Sequence, residues 1–310
     1  NVYGGINTVQ TGLTIASDYY VQADGSLASS GSIPFDIAGA TYVQSFSVAA
    51  QETQPWGTRF NTDGTKMFVV GATGDDVNEY ALSTGFDVST ASYTQAFSVA
   101  SQETNPRGLA FNTDGSKMFV VGEVGDDVNE YALSTGFNVS TASFTQAYSV
   151  TTQDTGPDGI DFNTDGTEMY IVGTAGDDVN QYTLTTGFDV STASYTSNFS
   201  VAAQETSPRG IAFSNNGDKM FIVGTQEDKV HQYALSTLFN ITTASFTESF
   251  SVAGQETGPR ALTFNDTGSK MYVTGLDYDK VNQYASTSAS TTVKAGQALS
   301  ATTINMKDLT

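Results

Sequence analysis

Hydrophobic and polar positions alternate with period two along most of the chain, and the whole pattern repeats every 51 residues. Five methionines keep this step: Met67, Met118, Met169, Met220 and Met271. One unit contains four short segments rich in β-branched and aromatic residues, at 108–111, 117–121, 127–133 and 144–150. Asp-Gly and other glycine-containing turns separate them, which is typical of antiparallel β-strands. The pattern therefore predicts five copies of one four-stranded unit.

Four antiparallel strands per repeat of this length are typical of a blade of a β-propeller. The sequence predicts an all-β protein with a five-bladed propeller at 42–285. Residues 1–41 are the first half of a small β module plus a linker, and 286–310 are a linker plus its second half. Both junctions are rich in serine, as expected where one domain is inserted into an exposed loop of another.

The order of the strands predicts how the ring closes. The repeats open with a fourth-type strand at 42–49 and end with a third-type strand at 281–284. Pairing of these two strands completes the fifth blade and leaves no open edge at the seam of the ring. This "Velcro" closure also brings the two ends of the propeller together, so that the flanking segments can fold as one module.

The charge and composition exclude several classes of function. The formal net charge is -21, with 12 Lys and Arg and no cysteine. This charge argues against binding to nucleic acid or to an anionic membrane, and it suits an extracellular setting or only keeps the repeats soluble. Without cysteine there is neither a disulfide nor a thiol nucleophile, and no apolar run is long enough for a membrane span.

The stretch 106–122, PRGLAFNTDGSKMFVVG, resembles the repeats of YVTN, NHL and WD40-like propellers, and all five copies fit. The flanks, at 19–27 and 293–302, look like the two halves of a module found in tail-fibre and other virion proteins of marine tailed phages. The first resemblance implies the propeller fold and says little about activity. The second implies an extracellular protein of the virion surface that takes part in host recognition.

One loop position varies while its neighbours repeat, and it follows a proline in every unit. It holds Trp56, Arg107, Asp158, Arg209 and Arg260. Variation inside a copied loop is where function can be grafted, because tryptophan stacks on sugars or partners and arginine binds carboxylates. The alternative is that these side chains pack on neighbouring blades and pair with acids of the repeat. We expect them to be ligand-binding residues on one face of the ring.

The same face is expected to carry acidic pairs that are weak candidates for calcium: Asp75, Asp76, Asp126, Asp127, Asp177 and Asp178. Carboxylates beside glycines supply the oxygen ligands that Ca²⁺ requires. However, no spacing matches a calcium loop, and two blades place lysine at the second position. These aspartates are more typical of turn residues that bond the backbone, so no cofactor is predicted.

Catalysis is disfavoured, because near-identical blades do not easily form the asymmetric constellation that a reaction needs. Only Asp158, Asp161 and Asp277 break the repeat as acids. Arg59 and Asp161 occupy one first-strand position, where the other blades carry Ala or Thr, and they either face the channel or pack between blades. The sole histidine, His231, excludes a histidine-rich metal site and is interpreted as a surface residue.

The sequence therefore predicts a non-enzymatic, extracellular binding or adhesion domain of a phage-like virion appendage. Its expected partners are a host-surface glycan or receptor and other virion proteins, and homo-oligomerisation is left open. Two alternatives are a structural or decoration protein of the virion and a secreted cell-surface propeller. A propeller glycosidase with two carboxylates at the channel is less favoured.

Overall fold

A computed structural model describes residues 6–7, 18–21, 27–28, 35–286, 294–300 and 303–306. Its strands in chain order are β1 (Ile6–Asn7), β2 (Asp18–Val21), β3 (Leu27–Ala28), β4 (Ala40–Ser47), β5 (Pro55–Phe60), β6 (Lys66–Gly71), β7 (Asp76–Leu82), β8 (Ala91–Ser98), β9 (Pro106–Phe111), β10 (Lys117–Gly122), β11 (Asp127–Leu133), β12 (Ala142–Ser149), β13 (Pro157–Phe162), β14 (Glu168–Gly173), β15 (Asp178–Leu184), β16 (Ala193–Ser200), β17 (Pro208–Phe213), β18 (Lys219–Gly224), β19 (Lys229–Leu235), β20 (Ala244–Ser251), β21 (Pro259–Phe264), β22 (Lys270–Gly275), β23 (Lys280–Ser286), β24 (Lys294–Ser300) and β25 (Thr303–Met306). Short 3₁₀ turns at Ile37–Gly39, Val88–Thr90, Val139–Thr141, Val190–Thr192 and Ile241–Thr243 each precede a fourth strand.

Five four-stranded antiparallel sheets form the blades of a ring. Blades 1 to 4 are β5–β8, β9–β12, β13–β16 and β17–β20, and blade 5 has the order β21-β22-β23-β4. The first strands of the blades contact one another in sequence, and β21 contacts β5. The five first strands therefore surround a central channel, and the five-bladed propeller is confirmed.

The ring is closed by strands from its two ends. Strand β4 pairs antiparallel with β23, with Tyr42 opposite Tyr284 and Ser47 opposite Lys280. The two tyrosine rings also meet edge to face, with centroids 5.9 Å apart. This is the predicted closure, and it gives blade 5 the fourth strand that each of the other blades takes from its own repeat.

The chain ends also share one sheet, of order β1-β25-β24-β2-β3. Strands β2 and β24 pair antiparallel, with Asp18 opposite Gln297. Strands before and after the propeller therefore form one small β module, as predicted. The linkers at 29–34 and 287–293 lie outside the described residues. No helix in the described part of the chain is long and apolar enough to cross a membrane.

The repeat begins further upstream than residue 42, the start that the sequence pattern predicts. Phe35 is buried against Phe264, with ring centroids 5.3 Å apart, and Ile37 is fully buried. The turn that follows is capped by the Asp36 side chain, which accepts a hydrogen bond from the amide of Ala38 at 3.1 Å. The other blades contain the same Phe-Asp/Asn-apolar start one period later, as at 86–88. Residues 35–41 thus pack as part of the propeller.

The hydrophobic core is divided among the interfaces between blades. Between blades 1 and 2, Phe68 and Val70 pack with Leu109, Met118 and Val120. Equivalent clusters fill the other four interfaces. Because each blade is buried on both faces, its second strand is almost continuously apolar, as in Lys-Met-Phe-Val-Val-Gly of β10.

Two sets of loops share one face of the ring, as expected. The fully buried Glu103 precedes β9, and its Oε1 accepts hydrogen bonds from the amides of Asn105 at 2.7 Å and Val124 at 3.3 Å. It therefore ties the loop before β9 to the turn between β10 and β11. The same position holds buried acids in the other blades: Glu52, Asp154, Glu205 and Glu256. The repeated Gln-Glu-Thr motif thus serves the architecture of this face.

Candidate functional site

A β-bulge in the first strand of every blade aims one side chain at the channel mouth on this face. In β5, Pro55 lies opposite Gly71 and Gly57 opposite Val70, so that Trp56 is the extra residue. The register shifts at the same point in the other four first strands. Bulges re-aim side chains and are common beside functional sites. The five residues are the varying positions of the repeat, here called the arginine cluster: Trp56, Arg107, Asp158, Arg209 and Arg260.

The structure brings the arginine cluster together around one aromatic ring. The guanidinium carbons of Arg107 and Arg260 lie 3.4 and 4.2 Å from the Trp56 ring centroid. That of Arg209 lies 5.6 Å away. Trp56 is buried, with 8% of its surface exposed. The indole therefore forms a platform for guanidinium groups from three other blades.

One buried carboxylate lies among these cations. Asp158 accepts a hydrogen bond from Arg209 Nη1 at 2.8 Å, and its other oxygen lies 3.9 Å from Arg107 Nη1. Burial raises the pKa of Asp158 to about 6, although the three arginines oppose this shift. Arg107 also pairs with Glu123 from the neighbouring turn. Burial, followed by repulsion from Arg209, lowers the pKa of Arg260 to about 10.

A second charged pair lies deeper in the channel. Arg59 from blade 1 and Asp161 from blade 3 occupy equivalent strand positions, and Arg59 Nη2 is 3.8 Å from Asp161 Oδ1. Arg59 also donates hydrogen bonds to the carbonyl oxygens of Ile160 at 2.7 Å and Leu262 at 3.2 Å. Contacts with blades 3 and 5 hold its guanidinium across the channel, between the arginine cluster and the opposite mouth.

The opposite mouth widens into a funnel with a volume of about 520 Å³, whose floor includes Arg59 and Asp161. Its wall contains a phenylalanine from the end of each first strand: Phe60, Phe111, Phe162, Phe213 and Phe264. By contrast, the space between Arg59 and the arginine cluster is only about 10 Å³. The channel therefore has two separate ends, one narrow and cationic and one wide and partly aromatic.

Backbone hydrogen bonds hold the Asp161 carboxylate in the funnel. Its Oδ1 accepts from the amide of Phe162 at 3.0 Å, and its Oδ2 accepts from the amide of Phe213 at 3.1 Å. Burial raises the pKa of Asp161, while Arg59 and these two amides favour the charged form. Burial also lowers the pKa of Arg59, and Asp161 opposes this shift. Both residues break the repeat in the sequence, but the repeat pattern alone does not place them in a site.

The aspartates proposed as weak calcium ligands lie in the turns between the second and third strands. Asp126 has a positive φ of 49°, and its carbonyl oxygen accepts a hydrogen bond from Val150 at 2.8 Å. Asp75 and Asp177 have the same conformation, while Asp76, Asp127 and Asp178 begin third strands. Among the described residues, no three Asp, Glu or His side chains are grouped to hold a metal. The turn geometry accounts for the repeated aspartates.

Comparison with protein families identifies the relationship of the chain. A family model described as "Lactonase, 7-bladed beta-propeller" matches residues 19–238, more than two thirds of the chain. The protein belongs to this lactonase family. The family description gives seven blades, whereas residues 35–286 of this lactonase-family protein form five. A comparison with curated proteins finds no match.

Solved structures give only distant likenesses to this lactonase-family protein. A functionally unknown protein from Desulfotomaculum acetoxidans is 12% identical, with 71% of this chain and 62% of that chain covered and a TM-score of 0.44. The periplasmic gluconolactonase of Pseudomonas aeruginosa is 14% identical, with 82% and 70% covered and a TM-score of 0.45. A Cps50 (Swd1) β-propeller domain from Myceliophteria thermophila is 8% identical, with 79% and 99% covered and a TM-score of 0.46. Likenesses at this level carry no argument about function.

The family corrects two predictions made from the sequence. The predictions of a non-enzymatic adhesion domain of a phage-like appendage and of no enzymatic activity are both wrong, because the matching family is one of lactonases. The prediction gave most weight to the near-identity of the blades, although Arg59 and Asp161 break the repeat at one strand position. The comparisons do not support the resemblance of the flanks to tail-fibre modules. An extracellular location and homo-oligomerisation stay predictions.

Proposed function

We propose that this protein hydrolyses a lactone in the funnel, with Asp161 as the general base and Arg59 as the cation that stabilises the oxyanion. The observation that carries the proposal is the Arg59–Asp161 pair at the floor of the funnel, in a chain of a lactonase family. Binding pockets for small molecules typically have volumes of about 300–1,000 Å³. The funnel, at about 520 Å³, is large enough for a five- or six-membered lactone ring.

The wall of the funnel, like its floor, matches the chemistry of a lactone. A lactone has an apolar ring face and one strongly polar edge that carries the ester oxygens. Phe111 and Phe264 are partly exposed at the ends of their strands and line the cavity. Their rings offer contact to the apolar face, while the polar edge is directed to the charged floor. This orientation would bring the carbonyl carbon of the lactone to Asp161 and Arg59.

Asp161 has the properties of a general base. Asp161 is partly buried, and a carboxylate whose pKa is raised in this way is a stronger base than one fully exposed to water. Each of its oxygens accepts one backbone hydrogen bond, at 3.0 and 3.1 Å, and retains a lone pair for a water molecule. The backbone of two blades fixes its orientation, so that no reorganisation is needed when the proton is transferred.

Arg59 contributes charge from a fixed position. Its guanidinium is held by carbonyl oxygens and retains its positive charge at neutral pH, because the unperturbed pKa of arginine lies above 12. Negative charge that develops on a lactone carbonyl near this group is stabilised in a site that excludes most water. The neutral lactone carries no charge for Arg59 to attract, whereas the carboxylate formed when the ring opens does.

The reaction balances with these two residues. Asp161 accepts a proton from water while the water oxygen forms a bond to the lactone carbonyl carbon, and the carbonyl becomes an oxyanion facing Arg59. The oxyanion then collapses and the ring C–O bond breaks. The proton on Asp161 passes to the alkoxide that leaves, which yields a hydroxy acid that ionises in solvent. The carboxylate is regenerated for the next turnover.

Acid release from γ-butyrolactone, δ-valerolactone and an aldonic δ-lactone, measured with a pH indicator, tests the proposal. We expect Asp161→Ala to lower kcat/KM by about 100-fold or more, the range for loss of a general base. Alanine is a suitable replacement, because blades 2 and 4 carry Ala110 and Ala212 at this position. We expect Asp127→Asn, on the opposite face, to retain the wild-type rate.

The pH profile provides a second criterion. The active form of Asp161 is deprotonated, so kcat/KM should rise with pH and level off above its pKa, which burial raises above 3.8. Asp161→Asn should remove this rise, while circular dichroism shows that the fold is retained. Wild-type rates equal to the uncatalysed rate for all three lactones, or an unchanged rate in both Asp161 variants, would contradict the proposal.

A further inference from the structure

The arginines of this chain are concentrated on its axis. The chain has 33 acidic residues and only four arginines, Arg59, Arg107, Arg209 and Arg260. All four lie in the central channel, and three of them converge on Trp56 at the narrow mouth. In a chain with a net charge of -21, this is a local reversal of sign. It lies at the opposite end of the channel from the proposed active site.

The arginine cluster lacks matching negative charge. Asp158 is its one buried acid, and it is shared between Arg209 and Arg107. Glu123 pairs with Arg107 from the rim, where half of its side chain is exposed and its charge is screened by water. No ion pair forms with Arg260 among the described residues. For Arg260, repulsion from Arg209 is larger than the attraction of either nearby acid, Asp158 or Asp277.

Hydrogen-bond donors in the arginine cluster are also unsatisfied. The buried donors of this cluster without a hydrogen-bond partner in the protein are Trp56 Nε1, Arg107 Nε and Nη1, Arg209 Nε, and Arg260 Nε and Nη1. Arg107 is itself only 9% exposed. A buried donor without a partner costs about 1–3 kcal/mol. Six such donors converge beneath one mouth, and an acceptor with several oxygens that enters among the guanidinium groups would satisfy them.

We propose that the arginine cluster binds a small oxyanion: sulfate, phosphate or a carboxylate. Guanidinium groups match the oxygens of these anions in a bidentate manner, which lysine does not achieve. The anion would supply the missing negative charge between Arg260 and Arg209, and would accept hydrogen bonds from their free donors. The site is independent of lactone hydrolysis, because Arg59 and a space of about 10 Å³ separate it from the funnel.

Fluorescence of Trp56, the only tryptophan in the chain, provides a direct readout of binding. The protein is titrated with sodium sulfate, with sodium chloride added to keep the ionic strength constant. Displacement of guanidinium groups around the indole should give a saturable change in emission. Parallel titrations with phosphate and acetate show whether a tetrahedral anion or a carboxylate is preferred.

Single substitutions test whether the arginines of the cluster bind the sulfate. We expect Arg260→Gln to weaken sulfate binding by at least about tenfold, because a hydrogen bond to a charged group contributes about 1.5–3 kcal/mol. Lys280→Gln is the matched control: it removes the same charge at the start of β23, beside Tyr278, and should retain the wild-type affinity. Arg209→Gln, followed by calorimetry, replaces Arg260→Gln if that variant does not fold.

The pH dependence of sulfate binding is a further criterion. The charged groups that face Asp158 are Arg107, Arg209 and Arg260, and its carboxylate competes with the anion for them. Protonation of Asp158 below a pH of about 6 should tighten sulfate binding, and Asp158→Asn should remove this dependence. Sulfate does not titrate in this range. A linear, non-saturating response, or equal affinity in the wild type and both arginine variants, would overturn the proposal.

Discussion

Replacing His231 by asparagine is expected to make the protein more resistant to acid. His231 lies in β19, is 3% exposed, and neither of its ring nitrogens has a hydrogen-bond partner in the protein. Burial and, to a smaller extent, repulsion from Lys229 lower its pKa to about 4, and Glu227 opposes this shift. The sequence-based interpretation of a surface histidine is therefore wrong, because strand β19 lies inside the blade.

The size of the effect follows from this shift. The unfolded chain binds a proton at His231 below its ordinary pKa of 6.5, whereas the folded protein does not until the pH nears 4. The contribution of the neutral His231 to the free energy of unfolding is thus fully present above pH 6.5. It is lost as the pH falls from 6.5 to about 4. At 1.36 kcal/mol per pH unit, the loss between pH 7 and a pH of about 4.5 is about 2–3 kcal/mol.

The repeats supply the matched variants. Other blades carry asparagine at the same position, Asn78, Asn129, Asn180 and Asn282. Urea unfolding of the wild type and His231→Asn at both pH values should show a difference in unfolding free energy that grows by about 2–3 kcal/mol in acid. Asn129→His, which places the imidazole at the equivalent position in blade 2, should introduce a second loss of similar size.

A direct titration of His231 tests whether its pKa is lowered in the folded protein. His231 is the only histidine, so the imidazole signals in a proton NMR spectrum need no assignment. They should shift with a midpoint of about 4. A midpoint near 6.5, or an equal difference between the wild type and His231→Asn at both pH values, would refute the reasoning.

Two further predictions concern the ring itself. A Cβ on Gly108 would lie 2.7 Å from the carbonyl oxygen of Asp158 in the adjacent first strand; Gly108→Ala should cost about 1–3 kcal/mol in urea unfolding, whereas Ala261→Gly at the seam should cost less than about 1 kcal/mol. Equal costs for the two would argue against the close approach. A fragment of residues 50–286, which lacks β4, should aggregate in light scattering because β23 becomes an exposed edge. The fragment 35–286, which retains β4, should stay monodisperse, and aggregation of both alike would count against the role of the seam strand.

The number of blades and the closure of the ring could be predicted because they follow from a count along the chain. The 51-residue step contains four strand segments. The repeats begin with a fourth-type strand and end with a third-type strand, so the only partner left for the first of these is the last. No tertiary information is needed for either conclusion. The start of the propeller at Phe35 was missed, although Phe35, Asp36 and Ile37 lie 51 residues before a matching Phe-Asp-Val.

The direction of side chains in the channel could not be predicted in the same way. In an ideal strand Arg59 and Trp56, three residues apart, would point to opposite faces. The bulge in β5 places Trp56 at the channel as well, and alternation alone does not reveal a bulge. The signal for Arg59 and Asp161 was present, since each replaces a small side chain at a repeated position. Only the fold shows that these two positions meet across the axis at 3.8 Å.

The concentration of arginine on the axis has a consequence for how ligands arrive. An anion far from the protein meets a shell with a net charge of -21 and is repelled, and only near the axis does it meet local positive charge. At an ionic strength of about 0.1 M, charges more than about 10 Å apart are largely screened. Added salt should then weaken the distant repulsion more than the attraction at contact. Moderate salt is therefore expected to speed the association of an anion with the arginine cluster, opposite to the usual effect of salt on steering toward a cationic site.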